Sequence, residues 1–151
     1  MKGLHEIEGV EYDICETQQI IFRTYAIKGY DMEIFTKEYL TSDFCSRYMD
    51  RSYSRFQLED VGECSDFFLP EIGERLKKYE NGKIFDPDIA EWMGFTYRQL
   101  QLETGVKSKE LVNRITFNDM LRLYPGMHTI DELDAAERIS EMYLSLIHIS
   151  E

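Results

Sequence analysis

The sequence predicts an all-α fold, a compact single-domain bundle of about six to eight helices over residues 1–144. Apolar residues recur three and four positions apart through most of the chain, which is typical of helices with one buried face. Residues that favour helix starts and ends bound most of these stretches, and no alternating run of four or more residues suggests a sheet. With 151 residues, 43% of them hydrophobic, the chain can bury one core.

Three helices are predicted before residue 50. The first covers residues 11–29 and can end at Gly29, a short second helix comes after it, and Ser42 is a good N-cap for the third. Their apolar faces comprise Ile14, Gln18, Ile21, Phe22, Tyr25 and Ala26, then Ile34, Phe35 and Tyr39, then Phe44, Cys45, Tyr48 and Met49. Residues 53–57 fit no stripe and are predicted to form a linker.

The middle of the chain predicts two longer helices. An apolar stripe from Leu58 to Tyr79 stays in register across Pro70, which favours one kinked helix over a second helix that begins at the proline. Glu80 to Lys83 is a predicted turn. Asp86 and the proline after it mark the start of a helix that carries Ile89, Met93, Tyr97 and Leu100 and stops at Gly105.

The remaining helices are shorter. Ser108 opens one, Thr116 caps another that Pro125 and Gly126 end, and Thr129 with Glu132 predicts a capping box for the last. Residues 145–151 resemble translated sequencing-adapter DNA, which predicts a non-native C-terminal tail. The alternative is an ordinary amphipathic helix end.

The charge of the chain favours some partners and disfavours others. Twenty-nine acidic against 17 basic residues give a formal net charge of −12. This charge predicts no direct DNA or RNA partner and no anionic membrane partner, because phosphate binding depends on Lys and Arg. It suits a protein partner with a basic surface. Three cysteines without CxxC spacing, an acidic start and no long apolar stretch predict a reduced, cytoplasmic protein.

No catalytic, cofactor-binding or metal-binding residue is predicted. His128 precedes Asp131, Glu132 and Asp134, but capping of a helix start explains those acids without a metal. The cysteines lie on or beside apolar stripes, as buried structural thiols do. Residues 97–116 faintly resemble a helix-turn-helix, yet the basic residues near them are too few to position it on phosphates.

The predicted partner-binding residues are Tyr53, Arg55 and Phe56, with Trp92 and Arg98 beside them. A linker normally favours small, polar or turn-forming residues, whereas residues 53–57 carry two aromatic side chains and an arginine. Tyrosine, tryptophan and arginine dominate binding hot spots. The competing interpretation is that these aromatic side chains cover the core.

Five strings resemble an uncharacterised protein family of anaerobic gut bacteria. They are YLTSDFCSRYMD (39–50), YSRFQLED (53–60), FFLPEIG (67–73), WMGFTYRQLQLETG (92–105) and YPGMHTIDE (124–132). The likeness covers roughly residues 15 to 135. It implies a gene encoded beside ADP-ribosyltransferase-like toxin genes, hence an accessory or neutralising protein. It assigns no site residue.

The sequence leaves three functional hypotheses open. The first is a non-enzymatic protein-binding module, antitoxin-like or accessory, from a toxin–antitoxin or phage-conflict locus. The second is an acidic inhibitor of a nucleic-acid enzyme, an anti-CRISPR-type nucleic-acid mimic whose carboxylates stand in for phosphates. The third is an enzyme whose site is assembled only in three dimensions, which a pocket lined by His128 and carboxylates would favour.

Overall fold

One long central helix organises the fold, and four of the other helices pack closely against it. The computed structural model describes residues 9–51 and 60–144. Over these ranges the α-helices are α1 (Gly9–Ile27), α2 (Met32–Leu40), α3 (Val61–Ile72), α4 (Pro87–Thr104), α5 (Ser108–Arg114), α6 (Phe117–Met127) and α7 (Glu132–Tyr143). A π-helical segment (Cys45–Met49) and two 3-10 turns (Gly73–Arg75, Glu80–Gly82) complete the helical elements of these ranges. The described part of the chain contains no strand, so the all-α prediction is confirmed.

The ends of the central helix, α4, are those that the sequence predicts. The Asp86 carboxylate accepts a hydrogen bond from the Asp88 amide (2.9 Å), and Pro87 occupies the first helical position. Gly105 ends the helix in the left-handed conformation (φ 79°), which a residue without a Cβ adopts without strain. Between them, every residue from Met93 to Glu103 is buried. The helix is therefore enclosed on all sides along this stretch.

Close packing of α1 against α4 depends on Gly94. A Cβ at this position would lie 2.7 Å from the Gln18 carbonyl oxygen and 2.8 Å from Cγ of Phe22. The Gln18 side chain also donates to the Gly94 carbonyl (2.8 Å). The two backbones can approach this closely only because residue 94 has no side chain.

An aromatic cluster forms the core beside this contact. Tyr25 stacks on Phe35 with ring centroids 4.6 Å apart, and Tyr39 meets Phe68 edge to face at 5.3 Å. These rings come from α1, α2 and α3 and are almost fully buried. Many of the aromatic residues thus serve the core, where large rings bury much apolar area.

Two predicted helix ends are wrong. Within the stripe predicted from Leu58 to Tyr79, α3 passes through Pro70 but stops at Ile72. The Tyr79 hydroxyl instead accepts a hydrogen bond from the Met32 amide (3.1 Å). Proline removes one main-chain hydrogen bond and weakens the turn around it. In contrast, α6 passes through Pro125 and its neighbouring glycine as far as Met127.

The helix caps are partly those predicted. Thr116 caps α6, with Asp119 completing a capping box. The predicted capping box of Thr129 and Glu132 is wrong, because Asp131 is the N-cap of α7 and accepts from the amides of residues 133 and 134. The Ser42 hydroxyl accepts from the Cys45 amide (3.1 Å), as predicted.

The predicted linker (53–57) and the predicted tail (145–151) lie outside the residues that the structure describes. None of the helices in 9–51 and 60–144 combines the length and apolar character needed to cross a membrane.

Candidate functional site

A cleft of about 240 Å³ opens between α1, α4, α6 and α7. Trp92 lies in its wall, so we name it the Trp92 cleft. Its other side chains of interest are Asp88 and Glu91 of α4, Gln19 of α1, Tyr124 and His128 at the end of α6, and Glu132 of α7. It therefore joins aromatic rings to carboxylates on the molecular surface.

The aromatic rings hold one another in place. The Trp92 indole meets Tyr124 edge to face, with centroids 5.6 Å apart. His128 lies four residues after Tyr124, so both side chains project from the same face of α6. Their rings stack at 4.1 Å and 12°, and Nδ1 of His128 lies 2.7 Å from the Tyr124 carbonyl oxygen. These contacts present the rings as a largely pre-formed wall.

Two carboxylates of α4 lie beside the aromatic rings in the cleft. Asp88 and Glu91 are three residues apart at the start of α4 and therefore share one face. The Arg23 guanidinium bridges them, with Nη1 3.0 Å from an oxygen of each. The Gln19 amide donates to the second oxygen of Glu91 (3.2 Å). Both carboxylates are thus oriented by α1.

Burial and neighbouring carboxylates shift the pKa of two groups in the cleft. Burial raises the pKa of the Tyr124 hydroxyl, and Asp86, Asp88 and Glu91 raise it further. Burial also raises the pKa of Glu132, and the nearby charges of Asp131 and Glu16 add to that shift. Burial disfavours a charged form of either sign, whereas the contribution of the neighbouring carboxylates favours a cation.

The cleft brings His128 and carboxylates together, as the enzyme hypothesis requires. Nδ1 of His128 lies against the Tyr124 carbonyl oxygen, a contact that orients the ring, so proton transfer by this residue would have to use Nε2. Asp88 and Glu91 already contact Arg23. Within residues 9–51 and 60–144, no three His, Cys, Asp or Glu side chains converge to hold a metal ion.

Of the five predicted partner-binding residues, only Trp92 is placed on this surface. Tyr53, Arg55 and Phe56 lie outside the described residues. The prediction for Arg98 is wrong, because its side chain is fully buried. Six residues turn a helix by about 240°, so Trp92 and Arg98 point in different directions from α4.

Arg98 belongs to a buried polar network instead. Its Nη1 pairs with Asp50 (2.6 Å) and donates to Gln101 (3.0 Å), while Nε and Nη2 donate to Gln18 at 3.0 and 2.7 Å. Asp50 also accepts from the amide and hydroxyl of Ser108. Burial acts to lower the pKa of Arg98, but the contributions of Asp50, Cys45 and Tyr39 together outweigh it, so the pKa is raised and the guanidinium stays charged.

The cysteines are buried structural thiols, as the sequence predicts. Burial raises the pKa of Cys45 to about 12, even though Arg98 partly opposes the shift. Burial also raises the pKa of Cys15 and of Cys64. A reactive cysteine needs the opposite change in pKa, because the thiolate is the nucleophile.

Sequence reasoning missed the role of Tyr124 and Glu91. Tyr124 and His128 have the spacing of neighbours on a helix face, and Glu91 directly precedes the one tryptophan of the chain. Those two signals could have indicated a shared surface. They were obscured because Pro125 was expected to end α6 at this point.

Comparison with known proteins adds no relative. No family model, curated protein or solved structure matches this chain. The cleft and its charge are therefore the basis on which a function can be proposed.

Proposed function

We propose that this chain is a non-enzymatic protein-binding module that captures a partner with a basic surface through the Trp92 cleft. In its biological setting it acts as an antitoxin-like or accessory protein of a toxin–antitoxin or phage-conflict locus. The observation that carries the proposal is the meeting of a fixed aromatic wall and a carboxylate rim in one surface cleft.

The composition of the cleft supports binding. Tryptophan and tyrosine dominate interface hot spots, since they bury large area and lose few rotamers on binding. Trp92 is only partly buried although it packs against the core, so its remaining surface is free to contact a partner. Because Tyr124 and His128 brace one another, the wall needs little ordering when a partner arrives.

The charge of the chain supports a basic partner. The formal net charge is −12, and neighbouring carboxylates contribute to the raised pKa of Tyr124 and of Glu132 in the cleft. Complementary charge speeds association and suppresses partners of the wrong sign. The antitoxin-like role is supported by the family resemblance of the strings between residues 39 and 132, which implies toxin genes nearby.

Affinity capture with matched variants tests this function. The tagged full chain, its Trp92→Ala and Tyr124→Ala variants, and an Ile20→Ala control are used as baits in a lysate of the native host. Ile20 is an exposed apolar residue of α1, 48% accessible, and it does not line the cleft. Circular dichroism confirms that each bait is folded.

The proposal predicts a protein with a basic surface that the parent and Ile20→Ala retain and both cleft variants lose. Each cleft substitution is expected to weaken binding by about 1 kcal/mol or more. Equal capture by all four folded baits, or no specific capture, would contradict it. Capture of a nucleic-acid enzyme that survives both cleft substitutions would favour the acidic-inhibitor alternative instead.

A further inference from the structure

The geometry points to an arginine side chain of the partner as the group that the Trp92 cleft recognises, through its aromatic rings and the carboxylates of Asp88 and Glu91. This inference rests on the proposed function and names the chemistry of the same site. Its basis is the ring geometry, the carboxylate pair and the guanidinium that already touches that pair.

Aromatic rings and carboxylates together favour a guanidinium over other groups. A guanidinium is planar, stacks on aromatic faces and donates in a fork that matches carboxylate oxygens. The cleft offers the indole of Trp92 with the carboxylates of Asp88 and Glu91 next to it on α4. An ammonium group can pair with the carboxylates but lacks the two parallel N–H donors of a guanidinium, so a lysine side chain should bind more weakly.

The size of the cleft suits one side chain. Sites for drug-sized ligands usually enclose about 300–1,000 Å³, and this cleft encloses about 240 Å³. The side chains of Phe95 and Met127 contribute apolar surface within it. The methylene stem of an arginine can pack on such surface while its charged end reaches the carboxylates.

The chain's own Arg23 shows that the carboxylate pair accepts a guanidinium. Its Nη1 lies 3.0 Å from both Asp88 and Glu91, and 42% of its side chain remains exposed. Arg23 therefore neutralises part of the charge that an incoming arginine would meet. It acts as an internal competitor, and removing it should strengthen binding of a cationic side chain.

Fluorescence of the full chain can test this directly. Trp92 is the one tryptophan, so emission reports on the cleft alone. The probes are three short Gly/Ser peptides that are identical except for a central arginine, lysine or glutamine. We expect a saturable change with the arginine peptide, binding weaker by about threefold or more with the lysine peptide, and no saturable change with the glutamine peptide.

Charge variants sharpen the test. Glu91→Gln should weaken binding of the arginine peptide about tenfold, because a hydrogen bond to a charged carboxylate becomes a hydrogen bond to a neutral amide. Asp66→Asn on α3 removes the same charge at an exposed position that does not line the cleft, and it should change affinity by less than about twofold. Arg23→Gln should raise affinity about two- to fivefold, the modest range set by exposed ion pairs.

Each outcome decides the inference. It is overturned if the arginine and glutamine peptides bind alike or neither binds, if Glu91→Gln has no more effect than Asp66→Asn, or if Arg23→Gln weakens binding while the variant stays folded. Loss of the captured partner with Trp92→Ala, combined with no arginine preference, would overturn only the arginine inference. Retention of the partner by folded Trp92→Ala would overturn the proposed function itself.

Discussion

Arg98 and Asp50 form an ion pair at the centre of the fold, with Nη1 and Oδ1 2.6 Å apart and side-chain exposures of 0% and 2%. The pair ties the end of the π-helical segment to α4. Asp50 is also held by Ser108, so the same carboxylate links α4 to the start of α5. A surface arginine could be removed at little cost, whereas loss of this one leaves a buried carboxylate without its counter-charge.

Arg98→Ala should therefore lower the free energy of unfolding by about 3–5 kcal/mol, measured by urea denaturation. The double variant Arg98→Ala/Asp50→Ala should be destabilised by clearly less than the sum of the two single effects on the free energy of unfolding. The reason is that the second substitution removes a charge that the first has already left unpaired. Arg122→Ala is the control, since Arg122 is 69% exposed and should change stability by no more than about 0.5 kcal/mol. Near-equal effects of Arg98→Ala and Arg122→Ala would contradict the structural role.

Gly94→Ala should destabilise the fold by about 1–3 kcal/mol, because the added methyl group meets the α1 backbone and Phe22. Gly126→Ala provides a matched control within α6. A Cβ at residue 126 meets nothing within 4 Å, so this variant should gain about 0.5–1 kcal/mol from helix propensity. The same chemical change is thus expected to have opposite signs at the two positions, which thermal unfolding can measure. A stabilised Gly94→Ala variant would show that α1 and α4 are not in close contact.

The thiols of the native chain should react slowly with Ellman's reagent. All three cysteines are buried, and the raised pKa of Cys45, about 12, leaves almost no thiolate near neutral pH. All three should react rapidly once the chain is unfolded in guanidinium chloride. Rapid labelling of a thiol in the folded chain would contradict this burial.

Stability should fall as the pH rises above 9. The ordinary thiol pKa is 9.0, and burial raises that of Cys45 to about 12, so the unfolded chain loses this proton first. The stabilising contribution of the protonated Cys45 thiol is complete below pH 9. It declines between pH 9 and about 12, by up to ~1.4 kcal/mol per pH unit for each such thiol. Burial also raises the pKa of Tyr39 well above 10.0, so the loss of stability continues to higher pH. Urea midpoints that stay constant from pH 8 to 10 (about one pH unit on either side of the ordinary thiol pKa of 9.0) would contradict these shifts.

The sequence predicted helices best where local chemistry alone decides them. Asp86 with Pro87 and the left-handed Gly105 bound α4 because capping acts within one turn of the chain. The end of α3 depends instead on the segment after Pro70, where Tyr79 reaches across to α2. That contact joins distant parts of the chain, so periodicity could not reveal it.

The site was predicted only in part for a related reason. Arg98 was assigned to the interface from its residue type, because arginine is frequent in binding hot spots, but polar residues of a helix can also be buried against polar partners. In α4 they pair with polar groups brought from α1 and from the segment that ends at Asp50, including Gln18. Trp92 was identified from its residue type, but its partner Tyr124 lies on α6 and meets it only in the folded chain.

The central claim is that the Trp92 cleft is the binding surface, and a ¹H–¹⁵N correlation spectrum tests it most directly. The single tryptophan gives one indole N–H cross-peak, which reports on the cleft by itself. On titration with the single-arginine peptide, the account predicts saturable movement of this peak and of the amides of Glu91 and His128. The glutamine peptide should leave them in place. An indole peak that stays still while peaks move on another face, such as that of Phe44 and Phe67, would contradict the account.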